Sequence, residues 1–337
     1  GAGAMFWMWL VAILGSASAF IESTLAQIYK RKAADGSSYG GPAYYIQAVL
    51  KKRWLGILFA GTLIVTYMGG FNMVAAFNIA DSFRAYSFYD PSTTPLIIGA
   101  VLAAAFAVCI FGGSKQISKI TGVLVPVMGI FYILVSLVII VTHLNLVPQM
   151  FADIFTQAFD FKAIFGGFTG SAIMQGIKRG LFSNEAGVGS APNAAASAGV
   201  SHPVKQGLVQ MLSVYIDTIV ICSATAFMLL CSGIEPSTDL QGMPYVQAAV
   251  ANTLGSFGTI FITIALVLFA FTTLIGNFYY AEMGLGYICD KTPNKALLMV
   301  FRLAAALIVC FGATMEFSVA WNTADVLMGL MAIINLP

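Results

Sequence analysis

Polar and ionisable side chains are scarce in this sequence, and where they fall indicates the chemistry they can do. Between Gly176 and Ala196 the chain reads GIKRGLFSNEAGVGSAPNAAA, which sets Lys178, Arg179 and Glu185 between the apolar stretches FKAIFGGFTGSAIMQ and HPVKQGLVQMLSVYIDTIVICSATAFMLL. Gly176, Gly180, Gly187, Gly189 and Pro192 punctuate that run, so one unbroken helix is not expected there. Backbone without helical hydrogen bonds near membrane depth must be buried in protein or line a wet cavity, and in transporters such breaks build the binding site. A second candidate is Thr272–Thr273 within LVLFAFTTLIGNFYY. A hydroxyl pair beside the carbonyls of an unwound helix supplies oxygens that a hard cation such as sodium takes, without burying a formal charge. The ordinary alternative is a threonine bonded to its own i−4 carbonyl or packed as a small residue.

Carboxylates inside apolar segments are costly and so count as candidates by default: Glu22, Asp81, Asp217, Glu282 and Asp325. Glu22, Asp81 and Glu282 fall near the ends of expected spans, where solvent or a helix terminus satisfies them. Asp217 lies deeper, between Ile216 and Thr218, and either meets a cation or ties helices together. Phe71, Phe165, Phe168 and Trp321 suit the wall of an apolar substrate pocket, or equally a face turned to lipid or core.

Other chemistries find no support. Gly187-Val-Gly189 has no strand before it and no third glycine, so it is not a dinucleotide fingerprint. His143 and His202, the two histidines, both sit at expected span ends, leaving little for a histidine metal site or a triad, and Ser183 has no evident base. The five cysteines lie in or beside apolar runs without CxxC spacing and read as small buried hydrophobes. A net charge of +2 gives no case for nucleic acid.

These residues are carried by an integral membrane chain. Of its 337 residues 59% are hydrophobic and 9% charged, against about a quarter charged in a soluble domain. Nine apolar segments are long enough to cross a bilayer, which takes about 20 helical residues: Ala4 to Ile28, Trp54 to Ala80, Pro95 to Phe111, Thr121 to Val141, Ala163 to Ile177, Gly207 to Leu230, Phe257 to Tyr280, Leu297 to Thr314 and Val319 to Asn335. The fifth is short, as a discontinuous helix should be. If the first span runs inward, all of the 16 Lys and Arg except Arg84 and Lys162 fall on one face, which is therefore cytoplasmic. The loop GGPAYYIQAVLKKRW is expected to form an interfacial helix with tyrosines and bases at headgroup level. The chain starts Gly-Ala-Gly without methionine and stops just after a span, and reads as a fragment cut at both ends.

The run RGLFSNEAGVGSAPNAAA, followed by HPVKQG and VYIDT, closely resembles the signature of the alanine/glycine:cation symporters, the bacterial sodium:alanine symporter family. GAGAMFWMWLVAILG, GGPAYYI, GGSKQISKITGVLVPVMGIFY, LFAFTTLIGNFYYAE and WNTADVLMGLMAIINL extend the resemblance over essentially the whole chain. It implies an all-α polytopic protein of the LeuT-like five-plus-five inverted repeat, in the plasma membrane, moving alanine or glycine with sodium as coupling ion and no other cofactor. The nine spans then correspond to helices two to ten, with the remainder of the first repeat in 1–145 and the second repeat in 146–337. By this resemblance Thr272 and Thr273 match the hydroxyl pair of a sodium site. Gly166, Gly167, Phe168 and Gly170 line the broken helix, and Trp321 matches a pocket aromatic. Ser183, Asn184 and Glu185, which follow Arg179 on the cytoplasmic side, gate or brace the helices with Asp217. Where the family commonly has glutamine and asparagine this chain has Ala75 and Phe77, which implies either a change in which amino acid is taken or a shift of its recognition to Asn72 or Asn78, beside Phe71. An uncoupled or proton-coupled carrier is the alternative, and an intramembrane enzyme a distant one.

Overall fold

Lipid offers no hydrogen-bond partner, so a chain this apolar must satisfy its backbone within helices. The computed structural model describes residues 1–33, 36–112, 114–160, 171–235, 237, 240–290 and 293–337, with side chains omitted for 114–121. It is helical apart from turns and a two-stranded antiparallel pair, Arg31–Lys32 against Ser38–Tyr39. Among the described residues eight helices are long and apolar enough to span a membrane: α1 (Ala4–Ile28), α3 (Arg53–Asp81), α4 (Thr94–Phe111), α5 (Ser114–Thr142, apolar from Gly122), α9 (Pro203–Leu230), α11 (Ser256–Cys289), α12 (Lys295–Gly312) and α13 (Phe317–Asn335). Between them lie α2 (Pro42–Leu50), α6 (Val147–Ala158), α7 (Ala172–Asn184), α8 (Ala191–Ser197) and α10 (Met243–Leu254). Of the short fifth span, 163–170 lie outside the described residues, and 172–177 begin α7. Leucine, isoleucine and valine stand outward on these helices, with Leu14, Val108 and Ile333 at 66%, 70% and 71% exposure. Such a surface suits hydrocarbon, and the protein is a multi-pass membrane protein.

Two of the long helices contain a wide π-turn, at Val65–Phe71 in α3 and Tyr215–Cys222 in α9. Such insertions are frequent at functional sites because one carbonyl loses its i+4 partner.

The chain divides into two compact units. The first takes Gly1–Thr62, Ile140–Cys231 and Met328–Pro337. Here α1 packs against α7 and α9 through glycines. Gly176 and Gly180, four apart on α7, face Trp7, Met8 and Val11, and Gly207 on α9 faces Phe20 and Thr24. Without a hydrophobic drive between helices in lipid, small residues that let backbones close up are what associate them. A patch of Met5, Met8, Met150, Ile154 and Cys231 fills one end.

The second unit takes Leu63–Ile139 and Ser232–Leu327. Its core is the continuous apolar cluster of α3, α4, α11 and α12, with Phe106, Ile110, Leu274, Phe278, Ala305 and Val309 fully buried. Gly99 and Gly312 admit close approach, since a Cβ would stand 2.7 Å from Cys310 O and 2.6 Å from Met73 Cα respectively.

Three expectations about polar and aromatic groups change. Glu282 is not at a solvated end: α11 continues to Cys289, and the carboxylate is held inside it by Arg302 of α12 at 3.1 Å. Glu22 is buried within the first unit and satisfied by side-chain and backbone donors rather than water. The tyrosines of the helix α2 turn into the protein, with Tyr44 and Tyr45 buried, because Tyr45 has a partner there. By contrast Asp81 is satisfied by a helix terminus as expected, taking the Met243 N–H at the start of α10.

Candidate functional site

In the first unit the signature run breaks at Gly187 and Gly189, while the helix continues through Gly176 and Gly180. The helix α7 starts under Ser171, whose Oγ accepts the Met174 N–H, and stops at Asn184. Glu185 caps it in the left-handed region at φ 53°, Gly187 and Gly189 follow at φ 85° and 90°, and α8 begins two residues on. The turn is held by its own side chains. Ser190 Oγ donates to the Glu185 carboxylate, Asn184 Oδ1 accepts the Ala186 N–H, and Asn193 Nδ2 donates to the Gly189 and Ser190 carbonyls. Glycine is required at 189 for space as well as angle, since a Cβ would stand 2.8 Å from the Phe59 ring.

Glu22 ties this turn to two other elements. Its carboxylate accepts from Asn335 Nδ2 at 2.5 Å; the same amide donates to Gly187 O at 3.0 Å, and Tyr45 Oη donates to Asn335 Oδ1 at 2.8 Å. Burial, and second to it the Glu22 carboxylate, push the Tyr45 phenol well above its ordinary value. A raised phenol favours its protonated form, so the contribution is complete below the unfolded value of about 10 and is lost only as pH rises through the higher folded value. Tyr45→Phe should therefore lose about 1 kcal/mol of stability. The deficit should be the same at every pH from mildly acidic to mildly alkaline, read from thermal unfolding in detergent. A deficit that vanished by neutral pH would mean Tyr45 does not donate there.

Close by in the same unit, Ser183 Oγ on α7 donates to Asp217 Oδ2, and Thr218 Oγ1 donates to the same oxygen at 3.3 Å. Asn184 Nδ2 donates to Thr218 Oγ1 at 3.1 Å. Ser183, Asn184 and Asp217 are thus brought together, while Glu185 faces the turn and the Arg179 guanidinium lies 5.6 Å from the Phe182 ring centroid.

In the second unit Asn72 follows the π-turn of α3. It is fully buried; its Oδ1 accepts from Asn277 Nδ2 at 3.0 Å, and its own Nδ2 has no partner among the described residues. Asn78, the other candidate for polar recognition, donates instead to Val74 O of its own helix at 2.9 Å. Phe71 is buried against Tyr67 at 4.9 Å between ring centroids. One turn before Asn277, Thr272 and Thr273 both donate to the Phe269 carbonyl, at 2.8 and 3.0 Å. This is the ordinary back-bonded arrangement of threonine in a helix, the alternative to an ion site, and it leaves the two oxygens with lone pairs only. Trp321 belongs to an aromatic row, 6.4 Å from Phe317, which is 6.0 Å from Phe77. Gly166, Gly167, Phe168 and Gly170 lie outside the described residues.

Asn277, Asn335 and Thr218 were not singled out from sequence, and Tyr45 was expected at headgroup level rather than in a buried hydrogen bond. Asn277 carried the clearest signal, an amide one turn from the threonine pair inside an apolar run.

The model of the sodium:alanine symporter family matches residues 1–337. The chain belongs to the sodium:alanine symporter family. It is 44% identical, over all of its length and 69% of the relative's, to a probable sodium/glutamine symporter, GlnT, of Bacillus subtilis. It is 40% identical to the sodium/alanine symporter AgcS of Methanococcus maripaludis, covering 74% of that protein, and 36% identical to a sodium/proton-dependent alanine carrier protein of Bacillus sp. PS3, covering 77%. Membership in this family makes the protein an amino acid symporter and not an enzyme. The signature turn and the Asn72–Asn277 and threonine groups are therefore parts of a carrier.

Proposed function

We propose that this family member carries a small neutral amino acid, alanine or glycine, across the plasma membrane with sodium, by alternating access in a LeuT-like five-plus-five arrangement. The observation that supports the sodium reading is the threonine pair, whose protons are both committed to Phe269 O, which leaves lone pairs that a cation can take. Sodium orders the site, the zwitterion binds the ordered form, and the loaded form exchanges sides. Asn72 Nδ2, a buried donor without a partner among the described residues, suits a substrate carboxylate; Gly166, Gly167 and Gly170 remain candidates by the family resemblance alone. Ser183, Asn184, Glu185 and Arg179 brace or gate the helices around the broken segment.

The GlnT relative raises glutamine as a substrate. The aromatic row Phe77–Phe317–Trp321 and the methyl of Ala75 favour a small apolar side chain, because a carboxamide there would have to leave water without a partner. A second reading, a proton beside or in place of sodium, is favoured by the sodium/proton-dependent relative. Uptake of labelled alanine, glycine and glutamine into proteoliposomes tests both. An inward sodium gradient should drive alanine and glycine, with glutamine a weak competitor. Uptake indifferent to sodium at every pH would sink the coupling, and an absolute proton requirement would redirect it.

A further inference from the structure

The loop GGPAYYIQAVLKKRW presents to its surroundings not its tyrosines, which turn inward, but its other end. Residues 48–54, AVLKKRW, are all exposed. The helix α2 closes on Lys51, at φ 56° in the left-handed region, and α3 begins at Arg53, so two lysines make the whole connection. Glycine or asparagine takes that backbone angle at less cost, and the turn itself does not call for lysine. Between Asp35 and Asp81 the chain carries no acid, and Asp81 lies at the far end of α3. Among the described residues neither Lys51 nor Lys52 has a hydrogen-bond or ion-pair partner. Beside the three bases stand exposed Val49 and Leu50, and Trp54 at 60% exposure; Leu58 carries the apolar face on along α3. In water such a surface would leave apolar groups uncovered. Against a bilayer both halves are satisfied. The apolar groups enter the edge of the hydrocarbon, where tryptophan is favoured, and the bases lie level with the phosphates. That level is fixed by α3, which starts its span at this point.

We propose that Lys51, Lys52 and Arg53, rimmed by Val49, Leu50 and Trp54, form a site for the headgroup of an anionic phospholipid in the leaflet that the basic residues mark as cytoplasmic. A zwitterionic headgroup brings its own cation to the phosphate, so the site distinguishes lipids by net charge. The other end of α2 holds Tyr45, which donates to Asn335 and through it reaches Glu22 and the signature turn at Gly187. A lipid bound to this connection therefore stabilises the unit that carries the turn. The site does not depend on which amino acid or ion is carried.

The test is the thermal midpoint of the purified protein in a neutral detergent, titrated with short-chain phosphatidylglycerol or, as the uncharged control, short-chain phosphatidylcholine. A ligand of the folded state raises the midpoint according to its affinity. Each base near an anionic surface is worth about 5-fold, so the wild type should prefer phosphatidylglycerol by about 100-fold at low salt, and by less at high salt. The double variant Lys51→Gln, Lys52→Gln, both positions being exposed, should fold normally and lower that preference about 25-fold. Lys51→Gly should raise the midpoint in detergent alone, because glycine adopts φ 56° freely, and yet lower the preference about 5-fold. Equal stabilisation of the wild type by the two lipids would overturn the site, as would a preference undiminished in the double variant. Inorganic phosphate or polyglutamate that matched phosphatidylglycerol, and lost its effect with the same two lysines, would overturn it in favour of a soluble anion or an acidic protein segment.

Discussion

Replacing both Thr272 and Thr273 with alanine should lower sodium affinity about 100-fold or more while leaving the fold intact. Each hydroxyl removed from a cation forfeits a charge-assisted contact of about 1.5–3 kcal/mol, and two together reach or exceed the 2.7 kcal/mol, roughly, that a 100-fold change requires. The folded state hardly notices, because both hydroxyls donate to one carbonyl of their own helix, and such back-bonds do not stabilise helices. Sodium dependence of alanine uptake should move by that factor with an unchanged thermal midpoint in sodium-free buffer. Serine at both positions should restore most of it. An unchanged sodium dependence would show that the pair only packs.

Gly176→Val should fail in the opposite manner, losing the fold and with it everything else. A Cβ at this position would stand 2.4 Å from Trp7 Cβ and 2.6 Å from Ala4 O, a side-chain root and a backbone atom, neither of which swings aside. Trp7 is itself anchored, its indole N–H donating to Ala158 O at 3.0 Å. Overpacking of this kind costs about 1–3 kcal/mol where the surroundings yield, and more where they do not. Gly61 is the matched control. It lies in a helix with nothing within 4 Å of its would-be Cβ, so Gly61→Ala should stabilise by up to about 1 kcal/mol. Thermal midpoints in detergent that ranked these two the other way round would refute the packing of α1 on α7.

Hydropathy placed the spans well because lipid imposes one rule along the whole chain: α1 covers Ala4–Ile28 as read, and α13 starts two residues before the expected Val319. The broken signature was legible for a related reason, since Gly187 and Gly189 occupy backbone angles that side chains avoid. The π-turns were not. One widened turn changes which carbonyl meets which amide, and Val65–Phe71 has the same apolar composition as the helix around it. Nor were the partners of buried charges legible. Glu22 meets an asparagine 313 residues away, and Glu282 meets an arginine on the next helix, so each looked like a helix end when counted along its own segment. Asn72 was named for its type, but that its amide nitrogen has no partner among the described residues while that of Asn78 returns to its own helix is a property of packing alone.

The central claim is that ion and amino acid stabilise each other on one protein. By linkage, the factor by which saturating sodium tightens alanine must equal the factor by which saturating alanine tightens sodium. Calorimetric titration of the purified full-length protein measures both. We expect alanine affinity to rise at least about 10-fold on adding sodium, about 1.4 kcal/mol of coupling, with the same factor in reverse. Alanine that binds equally well in sodium and in choline would contradict the account.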